Sequence, residues 1–345
     1  MKAIFSLVTV FLVLLLNADQ APGGSESFFK GKKIRLIVSS TPGGGNDTYS
    51  RLIARHISKY IPGNPTMIVQ NMPGAGGLLA ADYLYRKAPR DGTVMEQINW
   101  GVWNYQVIKD PRARFDFNKM NALGVAAIEN SLIYSRKDRF KSLDDIRRSG
   151  KLAKVGVSGR QSTGHVIGNI IEKITGAKLF EFVFGYPGAR QYSLAVRQGE
   201  VDVSGNTKSS FLDQLGDMWK AGELVILAQA GKVDGKKDPM FPEAPLLKEL
   251  AKTPEGKEMA EATFLLSHYG RPYSLPPGVP QDRVKLLRDA FWKTMKDPKF
   301  LAEAKRLRRP ILPTHGKKLQ QMWKDALNAP PKQVEIVRRI FGGKK

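Results

Sequence analysis

A unit of apolar run, glycine-rich turn and amphipathic helix recurs along this chain, and its recurrence restricts the fold more than any other feature. IRLIVS (34–39) is short and rich in β-branched residues, which predicts a strand. After it, Tyr49, Leu52, Ile53, His56, Ile57 and Tyr60 recur at helical spacing until PGNP (62–65) stops them. TMIVQN (66–71) predicts a second strand, LLAADYLYRKA a helix, and VMEQIN, after the turn DGT, a third strand. The pattern restarts at KVGVSG (154–159). HVIGNIIEKITG then places Val166, Ile167, Ile170, Ile171 and Ile174 on one face, with Gly176 as a stop. FEFVFG, VDVSG and LVILAQAG read as further strands, and ARQYSLAVRQGE as a helix. Strands alternating with crossover helices predict an α/β fold of two units, joined near residues 124–131. A helix-rich tail follows Thr263, with amphipathic segments PQDRVKLLRDAFWKTMKD and PKFLAEAKRL.

Three turns share one chemistry: PGGGND (42–47), PGAGG (73–77) and SGRQSTGH (158–165) each link an apolar strand to a helix. In open α/β sheets ligands sit beyond the carboxyl ends of strands. Backbone N–H groups and helix N-termini there present positive potential, which suits a carboxylate or a phosphate. Each turn alone is an ordinary tight connection; three in one chain predict an anion-binding cleft. Asn46 and Asp47 are good helix N-cap residues, and a carboxylate at Asp47 would repel an anion, so its expected task is to hold the loop.

Several chemistries are excluded. Without cysteine there is no disulfide, thiolate site or Cys nucleophile. GRQSTGHV has the outline of a phosphate loop, but His165 and Val166 replace the Lys and the Ser or Thr that it needs. PGAGGLL lacks the third glycine of a dinucleotide fingerprint. The four histidines show no metal-ligand spacing, and no G-x-S-x-G elbow occurs. His56 reads as a packed residue and His165 as a residue within reach of a ligand. No enzyme, cofactor or metal is expected. Lys2 followed by the apolar stretch 3–16 and a polar, small-residue segment has the layout of a signal peptide, which predicts export. The net charge is +23, and residues 281–345 carry 18 Lys and Arg against 6 Asp and Glu. With no aromatic-interleaved basic motif, this reads as a basic surface that attracts anionic ligands rather than a nucleic-acid site.

PGGGNDTYSRLIARHISKYIPGNPTMIVQNMPGAGGLLAADYLY resembles the N-terminal signature of the receptors of tripartite tricarboxylate transporters, the Bug family. FGYPGARQYSLAVRQGEVD (184–202) and RPYSLPPGVPQDRVKLLRDAFWKTMKDPKFLAEAK (271–305) continue the resemblance in the same order. The resemblance implies a type II periplasmic binding protein fold: signal peptide 1–27, one α/β lobe from 28–128 plus 263–345, a second from 129–262, and the ligand between them. It implies a periplasmic, monomeric receptor that hands a small organic carboxylate to membrane permease subunits. The alternatives are a ligand-sensing subunit for a membrane kinase and a basic polyanion-binding protein. Carried over by position, the cleft would be lined by Gly43, Gly44, Gly45, Asn46, Asp47, Pro73, Gly74, Ala75, Gly76, Gly159, Ser162, Thr163 and Gly164. Asn99 and Trp100 would join them after the third strand, with Tyr186, Asn206 and Ser209 from the second lobe. The chain departs from the family's commoner pattern in TPGG for PPGG and in NWGVW, where Trp100 and Trp103 stand in place of small hydroxyl residues. An aromatic-walled pocket suited to a larger or aromatic acid is the expectation.

Overall fold

The computed structural model describes residues 27–341; the expected signal peptide lies almost wholly outside them. Two mixed sheets organise the chain. The first has the order β11-β4-β10-β3-β1-β2, built from β1 (Lys33–Val38), β2 (Thr66–Asn71), β3 (Val94–Gln97), β4 (Asn121–Val125), β10 (Pro272–Leu275) and β11 (Thr314–His315). The second has the order β7-β6-β8-β5-β9, from β5 (Ser131–Arg136), β6 (Ala153–Gly156), β7 (Phe180–Val183), β8 (Val203–Thr207) and β9 (Leu224–Gln229). Parallel pairing joins β1 to β2 and β3, and β6 to β7 and β8, as crossover helices require. In contrast, β10 lies antiparallel to β3 and β4, and β5 antiparallel to β8 and β9. These antiparallel insertions are not signalled by the strand–helix alternation.

The helices form where periodicity places them. Helix Gly45–Ile57 buries Tyr49, Leu52, Ile53 and Ile57 against Leu36 of β1 and against Val284, Leu287 and Phe291 from the tail helix Gln281–Thr294. Helix Thr163–Thr175 buries Val166, Ile167, Ile170, Ile171 and Ile174, and stops at Gly176, whose φ is +71°. Each such side chain contributes about 1.5–3 kcal/mol by leaving water.

The chain crosses between the sheets twice, after β4 and before β10. The two crossings bond to each other: Ala126 N donates to Arg271 O at 3.0 Å, and Arg271 N to Ala127 O at 2.9 Å. The C-terminal helix Pro331–Phe341 packs on helix Trp103–Val107 and on helices Pro254–Ser267 and Thr163–Thr175. No helix among the described residues is long and apolar enough to cross a membrane.

One buried acid has a testable consequence. Glu96 on β3 pairs with Ser274 on β10, is fully buried, and neither carboxyl oxygen has a partner among the described residues. Burial holds its pKa well above the ordinary 4.5. An acid raised in the folded state costs stability as pH rises above the unfolded value, because the unfolded chain ionises first. Glu96→Gln is therefore expected to gain on the parent protein by about 1.4 kcal/mol per pH unit above 4.5, until Glu96 itself ionises. Urea midpoints of both proteins at pH 4.5 and pH 7 check this.

Candidate functional site

At the carboxyl ends of β1, β2, β3, β6, β7 and β8 the chain turns into helices around a cleft of about 400 Å³ between the two sheets. Five helices begin on its wall, with N-caps Gly44, Gly77, Ser162, Gly188 and Thr207. None of the five makes a side-chain cap bond. Three helices that start elsewhere do: Ser142 accepts from Asp145 N, Asp297 from Lys299 N, and His315 from Lys317 N. A helix start leaves backbone N–H groups without intrahelical partners and carries about half a positive charge. The Thr207 start is otherwise occupied, since Lys208 N donates to Asn130 O at 2.9 Å and Ser209 N to Glu129 Oε1 at 3.0 Å, so the other four make a concentrated set of neutral donors on one cavity.

The glycine triplet serves this arrangement residue by residue. Gly43 has φ of +80°, and its N–H donates to Asp47 Oδ2 at 2.9 Å. A Cβ on Gly45 would collide with Ser210 Oγ and stand 2.7 Å from Arg271 Nη2, so the backbone can meet the second lobe only as glycine. Gly44 is unconstrained by contact, since its nearest neighbour would be Thr41 O at 3.6 Å.

Thirteen of the sequence-predicted residues line the cleft: Gly44, Gly45, Asn46, Pro73, Gly74, Ala75, Gly76, Asn99, Trp100, Ser162, Thr163, Tyr186 and Asn206. Gly43, Asp47, Gly159, Gly164 and Ser209 stand outside its lining, each for a readable reason. Gly43 and Asp47 form the back of the loop. Gly159 packs on Gly76, where a Cβ would come within 3.2 Å of the Gly76 nitrogen. Gly164 seats its helix on Gly205. Ser209 is turned inward: its N–H donates to Glu129 Oε1 at 3.0 Å and its carbonyl accepts from Arg309 at 3.0 Å. Asn206 lines the cleft, but its amide is occupied: Oδ1 accepts from Tyr192 at 2.8 Å, and Nδ2 donates to Tyr134 and Ser193 at 3.0 Å. Trp100 lines the cleft and stands edge-on to Phe341 of the C-terminal helix, whereas Trp103 is buried on Tyr269. His165 is packed on Phe182, and burial lowers its pKa to about 4. His56 is partly buried and bonds Glu303 at 2.6 Å.

Asp47 is an anchor. Burial alone would raise its pKa, but Arg51, the Gly43 amide and Asn71 together hold it below the ordinary value. Asp47→Asn is expected to cost about 1–2 kcal/mol at neutral pH. The difference fades as pH falls through the carboxylate range, because the folded-state pKa is depressed. Affinity should fall by less than about tenfold, the equivalent of roughly 1.4 kcal/mol. Thermal unfolding at pH 7 and pH 3, with a titration at pH 7, checks both.

The residues missed by sequence reasoning come mainly from the crossing segments. Arg271 is buried and lies 4.6 Å from the Tyr49 ring centre. It donates from Nε and Nη2 to Glu129 Oε2 at 2.9 and 2.7 Å, from Nη2 to Thr207 at 2.9 Å, and from Nη1 to Asn46. Burial would lower its pKa, but the Glu129 carboxylate raises it. It thus ties the first lobe's helix start to the second lobe's. A faint signal existed: Arg271 is the only Lys or Arg between Lys257 and Arg283, and Glu129 is the only charged residue between Lys119 and Arg136. Gln161 also lines the cleft, its side chain lying against Gly101. Among the described residues no group of His, Cys, Asp and Glu is placed to hold a metal.

No protein-family model matches the chain. A UPF0065 protein of Cupriavidus necator is 26% identical over 285 residues, 79% of this chain and 77% of that protein. BugT of Bordetella pertussis is 30% identical over 89 residues, 26% of this chain and 27% of its own. In three dimensions the periplasmic binding protein BugD matches 90% of this chain and 97% of its own, with TM-score 0.70 at 18% identity. In sequence the chain is thus similar to the UPF0065 protein and to BugT, and in fold to BugD. Two Rhodopseudomonas palustris structures share the Bug-like fold. One is MatC with bound malate, at TM-score 0.68, 18% identity and coverage of 89% and 99%. The other holds adipate, at TM-score 0.67, 20% identity and coverage of 89% and 97%. The fold is that of a two-lobed periplasmic binding protein, as the Bug resemblance implied.

Proposed function

We propose that the chain is an exported receptor that closes its two lobes on a small organic carboxylate and delivers it to a membrane permease of the tripartite tricarboxylate type. The convergence of four helix starts without side-chain caps, at Gly44, Gly77, Ser162 and Gly188, on one cleft carries this reading, because such a wall offers many neutral donors to an anion. The similarity to Bug proteins supports it, as do the malate and adipate held by structural neighbours.

In this reading the lobes are 28–128 plus 263–345 and 129–262, and the paired crossing segments form the hinge. Gly45, Asn46, the loop 73–76, Ser162 and Thr163 present donors to the carboxylate. Trp100 and Tyr186 wall the rest of the ligand. Gly43 and Asp47 shape the first loop from behind. The receptor works by reversible binding, as a monomer, without catalysis.

Calorimetric titration with mono-, di- and aromatic carboxylates, alongside the corresponding neutral amides, tests the reading. Saturable binding of at least one acid and of none of the amides is expected. Absence of saturable binding to every acid would contradict it.

A further inference from the structure

The charge of the cleft is unexpected for so basic a chain. The sequence carries a net +23, yet among the described residues lining the cleft only Arg271 and Glu129 bear formal charge. They cancel, and their bonding is more specific than cancellation. A guanidinium offers five N–H donors. Four are taken: Nε and one Nη2 hydrogen by Glu129 Oε2 at 2.9 and 2.7 Å, the other Nη2 hydrogen by Thr207 at 2.9 Å, and one Nη1 hydrogen by Asn46. The remaining Nη1 hydrogen cannot give a carboxylate the forked, two-bond grip that makes arginine a strong anion receptor. Glu129 already holds the Nε–Nη2 edge, and its other oxygen is fixed by the Ser209 amide at 3.0 Å. Both side chains are buried, at 7% and 3% exposure, so the pair is a fixture of the cleft floor.

We propose that Glu129 is a resident counter-anion that occupies the fork of Arg271 and thereby makes the cleft selective for acids of single negative charge with an apolar or aromatic body. This rests on the carboxylate-receptor reading and adds the charge class of the ligand. One ligand carboxylate is met by the uncapped helix starts, which are neutral donors and need no counter-charge. A second carboxylate would lose its hydration inside the closed lobes with no free cation to face among the described residues that line the cleft. It would also share the cleft with the Glu129 carboxylate, a like charge. An apolar body meets a different wall, formed by Trp100, Tyr186, Pro187 and Tyr192. The Tyr192 hydroxyl is already bonded to Asn206 and the Tyr186 hydroxyl to Glu200. Removing the Glu129 charge would release the fork and open the site to a diacid.

Two matched pairs isolate the charge: hexanoate with adipate, and benzoate with terephthalate. Each pair differs by one carboxylate. Calorimetric titration of the full chain is expected to show the monoacid bound at least tenfold tighter in whichever pair binds. Glu129→Gln is expected to move that ratio toward the diacid by at least tenfold. The double variant Glu129→Gln with Arg271→Gln, which leaves no unmatched charge, is expected to return it toward the monoacid. Circular dichroism reports whether each variant folds; if Glu129→Gln does not, the parent and double-variant ratios decide. A diacid preference in the parent protein would overturn the inference while leaving the carboxylate reading intact. So would an unchanged ratio in folded Glu129→Gln, or a diacid preference in the double variant. Failure of all four acids to bind would count against the carboxylate reading and remove the inference with it.

Discussion

Gly45→Val is expected to abolish ligand capture while leaving the protein folded. Gly45 opens the helix Gly45–Ile57 in the first lobe, and its neighbours across the cleft are Ser210, on the helix Lys208–Lys220 of the second, and Arg271 on the returning crossing. A Cβ there would stand 2.7 Å from Arg271 Nη2 and closer still to Ser210 Oγ. The overlap with Ser210 falls between lobes and can be relieved by keeping them apart, whereas that with Arg271, on the first lobe's own side, is relieved by a shift of the guanidinium. Affinity for the carboxylate should drop by at least about a hundredfold, the equivalent of roughly 2.7 kcal/mol, with the unfolding temperature within a few degrees of the parent. Gly44→Ala is the matched control, since its nearest contact would be an ordinary 3.6 Å. It should bind within about threefold of the parent, less than 1 kcal/mol. Titration calorimetry and thermal unfolding of the three proteins distinguish a closure defect from a folding defect. Equal loss in both variants would mean that Gly45 is not the point of close approach.

Arg271→Gln should produce the largest loss of stability in the chain. It strands the Glu129 carboxylate, 3% exposed, without its cation and removes the links to Asn46 and Thr207. Breaking one partner of a buried ion pair costs about 3–5 kcal/mol. In a chain of this size that lowers the unfolding temperature by about 5–8 °C. Most of the cost comes from the abandoned charge rather than from the lost attraction. Adding Glu129→Gln to Arg271→Gln should therefore recover more than half of it, and the double-mutant cycle measures that coupling. Additive losses would show that the two side chains act independently, in conflict with their bonding.

The fold was legible in the sequence wherever it depends on local pattern. Helix Thr163–Thr175, with its five buried aliphatic residues and its glycine stop, follows from spacing alone. Strands β1, β2 and β3 follow from short apolar runs beside glycine turns. The pattern fails where long-range pairing decides. The segment SLIYSR becomes β5, a central antiparallel strand buried on both faces, because β8 and β9 flank it rather than because its residues alternate. PYSL becomes β10 only by inserting between β3 and β4 from far along the chain.

The candidate site divides along the same line. Loops marked by glycine and N-cap residues could be read, and they supply Gly44, Asn46, Ala75, Ser162 and their neighbours. Arg271 and Glu129 could not, since they are 142 residues apart and meet only because the two crossings lie side by side. Nor does sequence tell a glycine that lines a cavity from one that seats a helix, as Gly164 does on Gly205. The question of what three consecutive glycines are for has three answers: a left-handed turn at Gly43, a cleft wall at Gly44 and a close approach at Gly45.

A crystal structure with the tightest-binding acid tests most directly whether backbone donors hold the ligand. Carboxylate oxygens within about 3.2 Å of main-chain nitrogens at two or more of the uncapped helix starts, those of Gly45–Ile57 and Thr163–Thr175 first among them, are the expected result. A ligand held through the Arg271 guanidinium alone, or bound away from these helix starts, would contradict it.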